Sequence, residues 1–471
     1  MEPSVIPMLV DGVWRTAEKC CDRLDPYHGS VVARVPDSST AEVAAAVQAA
    51  RAALGKVAPA HERADYLRRV AGLVRRDTNR IADAMTRETG KPITDSTTEV
   101  ARSAKTLEIA AEEAVRIEGQ HAPIDATPLG AGKLALLQRY PVGVVAAITP
   151  FNAPINLACH KLGPAIAAGN TVVLKASPAA SLCIHMLAEL FVEAGLEPGV
   201  INTVYGDAAG AYLVGDPGVD FISFTGSSAV ARKISAVSGL RRMTLELGGN
   251  GWTIVDKGAD ISSITALCAM NSMRLAGQSC ISVQNVAVHA SLFEGFAESV
   301  AETAARMIVG DPHKPETQIG TLIDEAAAAR VEEMAARAVK AGAEPLLMGA
   351  RTGAQLTPSV LVNPRPDAEI VMNEIFGPVV SVLPFDDVGD VFEWVNASGY
   401  GLQTGLFTPS LETMMKASRT LRTGGLIVNG SSTWRTDDLP YGGVGESGMG
   451  REGPKYAIRE MTEERLMVVN L

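Results

Sequence analysis

Short apolar runs and helical stretches alternate along the chain from residue 142 onward. Val142–Ile148 holds no polar side chain, which is typical of a strand buried on both faces of a sheet. The apolar spacing then predicts a helix over Ile155–Ala168. Repetition of strand and helix predicts a parallel sheet covered by helices on both faces. The other elements predicted in this part are Thr171–Lys175, Pro178–Ala194, Val200–Tyr205, Phe221–Phe224, Ser227–Val237 and Met243–Leu247.

The residues before this sheet are mostly helical in pattern. Ser39 and Glu42 have the spacing of a capping box at the start of a helix that ends near Leu54. A second helix is predicted over Glu62–Glu88. We expect it to end there because Gly90 and Pro92 follow. The pattern also predicts a hairpin over Met8–Arg15, a helix over Ser96–Val115 and a strand over Lys133–Arg139.

A second α/β region follows Gly249. Its helical stretches are Ser262–Leu275, Leu292–Met307 and Asp324–Ala341, and its strands are Ser282–Val288, Val379–Pro384 and Leu426–Asn429. The chain closes on an apolar stretch, Leu466–Val469, which needs a strand partner. We expect that partner to come either from this chain or from another subunit.

Composition narrows the class of protein. A chain of 471 residues exceeds the size of a single core, so we expect two or more domains. A net charge of −11 argues against nucleic acid or an anionic membrane as a partner. No apolar run is long enough to span a membrane, and Met1–Val10 lacks the pattern of a secretory signal. The six cysteines show no zinc spacing, which predicts free thiols, no metal site and a cytoplasmic location.

Polar residues follow four of the predicted strands, and ligands of parallel sheets bind at that edge. Asn152 carries an amide that can donate to an oxyanion, and Lys175 carries an ammonium that can hold a ribose or a phosphate. Thr225–Ser228 opens a helix, which suits an anion. Glu246 precedes two glycines and can serve as a general base. Taken singly, these residues are also explained by a turn, a helix cap or a surface charge.

Cys280 lies just before a β-branched run and has small neighbours, Ala276, Gly277 and Ser279. A thiolate is a strong nucleophile, and small neighbours leave room for a substrate. A single cysteine is more often a packed apolar side chain. One Gly-x-Gly-x-x-Gly stretch, Gly443–Gly448, follows a Pro-Tyr turn near the end of the chain, where a dinucleotide fingerprint is not expected.

These residues together resemble the aldehyde dehydrogenase superfamily over essentially the whole chain. The resemblance rests on seven short motifs in family order: Pro150-Phe151-Asn152, then Lys175, then Phe224-Thr225-Gly226-Ser227, then Glu246-Leu247-Gly248-Gly249, then Gly277-Gln278-Ser279-Cys280, then Glu374-Ile375-Phe376-Gly377-Pro378-Val379, and finally Pro440-Tyr441-Gly442-Gly443 with Ser447-Gly448.

The resemblance implies a reaction and its residues. Cys280 would attack an aldehyde to give a thiohemiacetal, Asn152 would hold the oxyanion, and hydride would pass to NAD or NADP. Glu246 would then activate the water that hydrolyses the thioester, with Glu452 assisting proton transfer. The implied cofactor residues are Thr149, Pro150, Phe151, Lys175, Ser177, Pro178, Phe224, Gly226, Ser227, Leu247, Gly248, Glu374 and Phe376.

Departures from the family pattern bear on specificity. Pro178 stands where many NAD-preferring members carry a glutamate, so NAD and NADP both stay open, with Ser177 as a donor to a 2′-phosphate. Ser279 counts against phosphorylated aldehydes, and Ala153 widens the pocket. Arg435 can grip a small anionic aldehyde of the lactaldehyde or semialdehyde kind, or it can form a surface salt bridge. Trp434 can instead line a pocket for an aromatic aldehyde.

We therefore expect an NAD(P)-dependent aldehyde dehydrogenase of the hydrolytic type. The alternatives are a CoA-acylating enzyme and a catalytically silent homologue. The implied fold is a Rossmann-like α/β cofactor domain (1–118 and 141–247), an α/β catalytic domain (248–445) and a small β oligomerisation arm (119–140 and 446–471). The expected assembly is a homodimer or homotetramer.

Overall fold

The structure is a computed structural model that describes residues 4–471. Met1–Pro3, the start of the stretch Met1–Val10 discussed above, lie outside the described residues. Two large sheets and one small sheet organise the chain. The first large sheet has six strands in the order Ile201–Val204, Thr171–Lys175, Val144–Ile148, Phe221–Thr225, Arg242–Glu246 and Gly448–Met449. All neighbours are parallel except the last pair.

The chain order of this sheet reverses at Val144–Ile148, whose side chains are all buried. At such a reversal the loops that follow neighbouring strands leave in opposite directions and open a crevice. The crevice lies at the carboxyl ends of the strands, where Asn152 and Glu246 stand. Helices and short helical turns in this half are Thr40–Ala53, Leu54–Lys56, Ala60–Arg76, Thr78–Thr89, Ile93–Ala114, Pro128–Gly130, Pro154–Ala168, Pro178–Ala180, Ser181–Glu193, Asp207–Gly215 and Ser228–Val237.

The second large sheet has seven strands and its own apolar core. The strands run in the order Glu344–Leu347, Ser359–Val362, Val379–Phe385, Asn285–His289, Trp252–Val255, Gln403–Phe407 and Gly425–Val428. Only the first pair is antiparallel. The helices and turns here, with the C-terminal helix, are Ile261–Met273, Arg274–Gly277, Ala290–Leu292, Phe293–Ala305, Glu325–Lys340, Glu369–Met372, Val388–Ala397, Leu411–Thr420, Gly445–Ser447 and Pro454–Glu460.

The small sheet joins Thr462–Asn470, Lys133–Pro141 and Gln120–Ala122, all antiparallel. The C-terminal stretch therefore finds its strand partner within this chain, over nine paired positions. Three short β pieces complete the structure: Ser4–Val5 with Val31–Pro36 and Cys20–Leu24, the hairpin Met8–Val10 with Val13–Arg15, and Arg351–Thr352 with Gln355–Leu356.

The capping box at Ser39 and the N-terminal hairpin are confirmed. The single helix predicted over Glu62–Glu88 was wrong: the helix is interrupted at Asp77 (φ −98°, ψ 14°), whose carboxylate is held by Arg76 and Arg80. Strands of only four or five residues, among them Trp252–Val255 and Gln403–Phe407, escaped the sequence analysis because so short an apolar run has no clear period. The predicted domain boundaries stay predictions.

Among residues 4–471, no helix is both long and apolar enough to cross a membrane.

Candidate active site

Cys280 follows a tight turn built from three residues with positive φ. Leu275 (56°), Ala276 (52°) and Gly277 (71°) share the left-handed conformation, which side chains rarely adopt. A Cβ on Gly277 would lie 1.9 Å from the carbonyl oxygen of Gly377. Gly277 is thus needed for close backbone packing in the turn before Cys280.

Cys280 itself is partly buried and lies against an aromatic hydroxyl. Its Sγ is 3.2 Å from Oη of Tyr441. Burial raises the pKa of the thiol to about 11, the hydroxyl of Tyr441 opposes that rise, and Glu374 adds to it. The guanidinium of Arg435 favours the thiolate. The resting thiol is therefore held mostly protonated, and its ionisation depends on the polar groups around it.

Asn152 follows the strand Val144–Ile148 and turns its amide toward the cysteine loop. Its Nδ2 donates to the carbonyl of Gln278, 3.0 Å away and two residues before Cys280. Lys91 donates to the carbonyl of Asn152 at 3.1 Å and pairs with Glu99. Both members of this ion pair are over nine-tenths buried. The loop that carries Asn152 is therefore tied to the helix Ile93–Ala114.

Glu246 ends a strand of the first sheet and is 2% exposed. Neither carboxylate oxygen has a hydrogen-bond partner among the described residues. Burial raises its pKa well above the ordinary value, and the nearby charge of Glu452 raises it further. A carboxylate whose proton affinity is raised in this way is a stronger base, as a general base needs to be.

Glu452 lies behind Glu246 and is fully paired. Lys161 donates to it at 3.1 Å, and both side chains are buried. Burial acts to raise the pKa of Glu452, but Lys161, His160 and Arg435 together lower it to about 2. The two neighbouring carboxylates therefore have pKa values pushed in opposite directions, which is typical of acid–base sites.

Arg435 is at the centre of a buried polar network rather than on the protein surface. Its Nη2 lies 3.5 Å from Glu452 and 3.2 Å from Nε2 of His160, and its guanidinium stacks 3.7 Å from the ring centre of Tyr441. Its Nε is buried without a partner in the described chain. His160 in turn contacts Asp437 at 2.8 Å. The donor at Nε of Arg435 is thus free while the orientation of the guanidinium is fixed.

Glu374, Phe376 and Phe151 form the other end of the site. One oxygen of Glu374 accepts the backbone N–H of Gly249 at 3.1 Å, and burial raises the pKa of this carboxyl to about 7. A Cβ on Gly248 would lie 2.2 Å from the other oxygen. The rings of Phe151 and Phe376 meet edge to face at 6.1 Å.

A cavity of about 370 Å³ brings these groups together. Of the predicted residues, its wall contains Pro150, Phe151, Asn152, Gly226, Ser227, Glu246, Leu247, Gly248, Cys280, Glu374, Phe376, Arg435 and Glu452. It does not include Thr149, Ala153, Lys175, Ser177, Pro178, Phe224, Ser279 or Trp434. The cavity therefore unites the four predicted catalytic residues, one predicted substrate residue and part of the predicted cofactor set.

Residues 14–467 match the family model described as the aldehyde dehydrogenase family. The chain belongs to this family. It is 44% identical to a 3-sulfolactaldehyde dehydrogenase of Priestia megaterium over 466 residues, which cover 98% of each chain. It is 36% identical to a sulfoacetaldehyde dehydrogenase of Neptuniibacter caesariensis over 411 residues, which cover 87% of this chain and 90% of the relative. The NADP complex of an NADP-dependent glyceraldehyde-3-phosphate dehydrogenase from Bacillus halodurans superposes with a TM-score of 0.96 at 32% identity, covering all of both chains.

The resemblance and the fold class drawn from the sequence are thereby confirmed. The chain is an NAD(P)-dependent aldehyde dehydrogenase. The comparisons do not test the individual site residues, whose roles stay proposals. Among the described residues, no cluster of histidine, cysteine, aspartate or glutamate side chains could hold a metal ion.

The groups around the crevice fit a dinucleotide. The second oxygen of Glu374 makes no hydrogen bond within the described chain and can accept from ribose hydroxyls. Ser227 caps the helix Ser228–Val237, whose first N–H groups suit a pyrophosphate. Lys175 ends its strand 8% exposed, and burial lowers its pKa. Ser177 accepts from the N–H of Ala179, which leaves its hydroxyl proton free beside Pro178.

The outlying predicted residues have local roles in the structure. Thr149 is buried with its hydroxyl unpartnered, and Ala153 bonds to the amide oxygen of Asn152. Phe224 lies against Gly226, where a Cβ would come within 2.5 Å of its ring. Ser279 donates its N–H to Gly277 at 2.9 Å, and Trp434 is half exposed. The Gly443–Gly448 stretch forms a turn that leads into the short strand Gly448–Met449.

Sequence analysis assigned no role to Tyr441, Lys161, His160 or Asp437 in the enzyme. The helix Pro154–Ala168 offered a signal, because every one of its side chains is buried and yet it contains His160 and Lys161. A charged residue in a helix that is otherwise apolar must find a partner in the interior. Tyr441 gave no such signal, because it stands between a proline and two glycines, in a stretch that predicts a turn.

Proposed function

We propose that this enzyme oxidises a small aldehyde bearing an anionic group, a sulfonate or a carboxylate, to the corresponding acid. The single observation that carries the proposal is the position of Arg435. Its guanidinium lines the same cavity as Cys280 and Glu246, with its Nε free of any partner in the described chain. A buried cation with an unused donor, next to the nucleophile, suits a short substrate with a negative charge.

Catalysis begins at Cys280. Its thiolate adds to the carbonyl carbon of the aldehyde, a C–S bond forms, and the electron pair of the C=O bond moves to oxygen. The amide of Asn152 donates to this oxyanion, which is a charge that develops only during the reaction. Its present bond to Gln278, at 3.0 Å, supports an orientation toward the cysteine loop.

A bound oxidised dinucleotide would supply the hydride acceptor for the substrate carbon. Glu374 and the first turn of Ser228–Val237 would hold its ribose and its pyrophosphate. Loss of hydride leaves a thioester on Cys280. The edge-to-face pair of Phe151 and Phe376 forms the wall at this end of the cavity.

Glu246 then takes a proton from the water that attacks the thioester. The C–S bond breaks, the electron pair returns to sulfur, and the acid is released. Glu452 is kept ionised by Lys161 and raises the proton affinity of Glu246 through its charge. The direction of that effect supports Glu246 as the base and Glu452 as its charged neighbour.

Two observations weigh against the alternatives. Glu246 faces the cavity without a competing partner, which supports hydrolysis rather than acyl transfer to CoA. Trp434 is 52% exposed and does not line the cavity, so an aromatic aldehyde gains no support. A catalytically silent protein would not need the polar side chains of Asn152, Glu246 and Arg435 in the same cavity wall as the Cys280 thiol.

The relatives' names agree with an anionic substrate: the two cited enzymes are named for sulfonated aldehydes. The decisive experiment compares 3-sulfolactaldehyde with glyceraldehyde, in which a hydroxyl replaces the sulfonate. Arg435→Leu should raise KM about 10- to 100-fold for the sulfonate, because a hydrogen bond to a charged group contributes about 1.5–3 kcal/mol. The KM for glyceraldehyde should change less than about threefold. Equal effects on both substrates would refute the anion-binding role, and Cys280→Ala serves as the inactive reference.

The structure also supports proposals for the cofactor, the assembly and the location of the enzyme. Ser177 and Pro178 repel no phosphate, so the enzyme accepts both NAD and NADP. The strand Thr462–Asn470 is a sheet edge with exposed apolar side chains, which supports assembly as a homodimer or homotetramer through it. The six cysteines are all free, which supports a cytoplasmic location.

A further inference from the structure

Tyr441 is fixed in place by its backbone. It exchanges two hydrogen bonds with Glu452, at 3.1 and 2.7 Å. Its side chain is 6% exposed and borders the cavity. Because Glu452 is itself held by Lys161, the position of Tyr441 is set by the same buried network that surrounds Glu246.

The hydroxyl of Tyr441 points at the nucleophile. Within residues 4–471, its hydrogen-bonding partner is Sγ of Cys280, at 3.2 Å. A thiolate has no proton and can only accept, so in the reactive form of the enzyme the phenol must be the donor. If the phenol faced a polar group that can both donate and accept, its own role would not be fixed in this way.

Arg435 makes this donor stronger and more rigid. Its guanidinium covers the ring face at 3.7 Å, and Glu452 holds it there. A cation over the ring withdraws electron density from the phenol and hinders rotation of the ring. Burial raises the pKa of Tyr441 well above its ordinary value, so the phenol keeps its proton at neutral pH.

We propose that Tyr441 is a catalytic residue, whose hydroxyl donates a hydrogen bond to the Cys280 thiolate. This bond increases the fraction of thiolate in a site that otherwise disfavours charge. It also stabilises sulfur as the leaving group when the C–S bond of the thioester breaks and the electron pair stays on sulfur. The inference rests on the proposed role of Cys280 as nucleophile.

The test measures the acidity of Cys280 without using turnover. The rate of its alkylation by iodoacetamide is followed against pH in the cofactor-free enzyme, with peptide mass spectrometry to separate Cys280 from the other thiols. Tyr441→Phe removes only the hydroxyl and retains the ring under Arg435. We expect the midpoint to rise by about one pH unit, a roughly tenfold loss of thiolate below the midpoint.

Tyr205→Phe is the matched control, because Tyr205 is a buried tyrosine outside the cavity wall. It should leave the midpoint unchanged. Replacing all eight tyrosines with 3-fluorotyrosine provides a second measurement on the otherwise unaltered chain. A more acidic phenol donates more strongly, so the midpoint should fall, and it should stay fixed when the same label is placed in the Tyr441→Phe variant.

An unchanged or lower midpoint in Tyr441→Phe would overturn the proposal, because it would mean that the phenol accepts from the neutral thiol. A midpoint unaffected by fluorination would do the same. The proposed function fails separately, if Cys280→Ala still reduces the cofactor with an aldehyde. The alkylation result is read independently of that outcome.

Discussion

Replacing Lys91 by methionine should weaken both the fold and the oxyanion site, because one buried ammonium supports both. Lys91 and Glu99 are 7% and 6% exposed and form an ion pair. The other oxygen of Glu99 accepts the backbone N–H groups of Ile155 and Asn156, at 2.9 and 3.1 Å. The same ammonium donates to the carbonyl of Asn152 at 3.1 Å.

The magnitude follows from what the substitution leaves behind. Removing one partner of a buried pair costs about 3–5 kcal/mol, since the remaining charge is uncompensated. Glu99 keeps its two backbone donors, so we expect the lower end, about 3 kcal/mol of unfolding free energy. Loss of a whole oxyanion donor lowers kcat about 100- to 1000-fold. Asn152 is retained here but its backbone is released, so we expect about a tenfold loss of kcat.

Urea unfolding followed by tryptophan fluorescence measures the first effect, and steady-state kinetics measure the second. Lys105→Met is the control, because Lys105 lies on the helix that carries Glu99 and pairs with Glu108 at 3.7 Å while 59% exposed. That variant should cost less than about 1 kcal/mol. In the Glu99→Gln background, Lys91→Met should cost about 2 kcal/mol less than in the native chain. Additive costs, or equal losses in Lys91→Met and Lys105→Met, would refute the reasoning.

Two further predictions concern the carboxylates. Glu246→Gln should still give a burst of one reduced cofactor per active site in stopped-flow absorbance, because hydride transfer precedes hydrolysis. Its steady-state turnover should fall about 100- to 10,000-fold. Loss of the burst would assign Glu246 to the first half-reaction. Glu452 has its pKa lowered from 4.5 to about 2, so its contribution, about 3 kcal/mol, is present above pH 4.5 and is lost as the pH falls toward 2. The stability deficit of Glu452→Gln, measured by urea unfolding, should therefore shrink by roughly half or more between about pH 6 and about pH 3; a deficit independent of pH would contradict the assigned pairing.

The chemistry of the site was largely readable along the chain. Asn152 and Glu246 each follow a predicted strand, and parallel strands deliver their ends to one edge of a sheet. Motif order then joined them to Cys280 by resemblance. The structure brings all three to one cavity wall, although the role of each stays a proposal.

Specificity was harder to read, because it depends on where a side chain points. Arg435 was ambiguous between an anion ligand and a surface salt bridge. In the structure it is 10% exposed and stacked on Tyr441, which excludes the surface position. Trp434, its neighbour in sequence, points outward and is half exposed. Adjacent residues in a loop follow no fixed period, so no pattern could separate the two.

Local pattern determined most elements of the first large sheet. Apolar runs and helix caps are set by residues within a few positions of one another, so the sheet of Val144–Ile148 and its helices could be derived from sequence. The partners of the buried polar and charged groups could not be derived from sequence. Tyr441 meets Cys280 across 161 positions, and Lys161 meets Glu452 across 291. Such contacts exist only once two separate cores have packed, and the low dielectric of the packed interior then decides which groups carry charge.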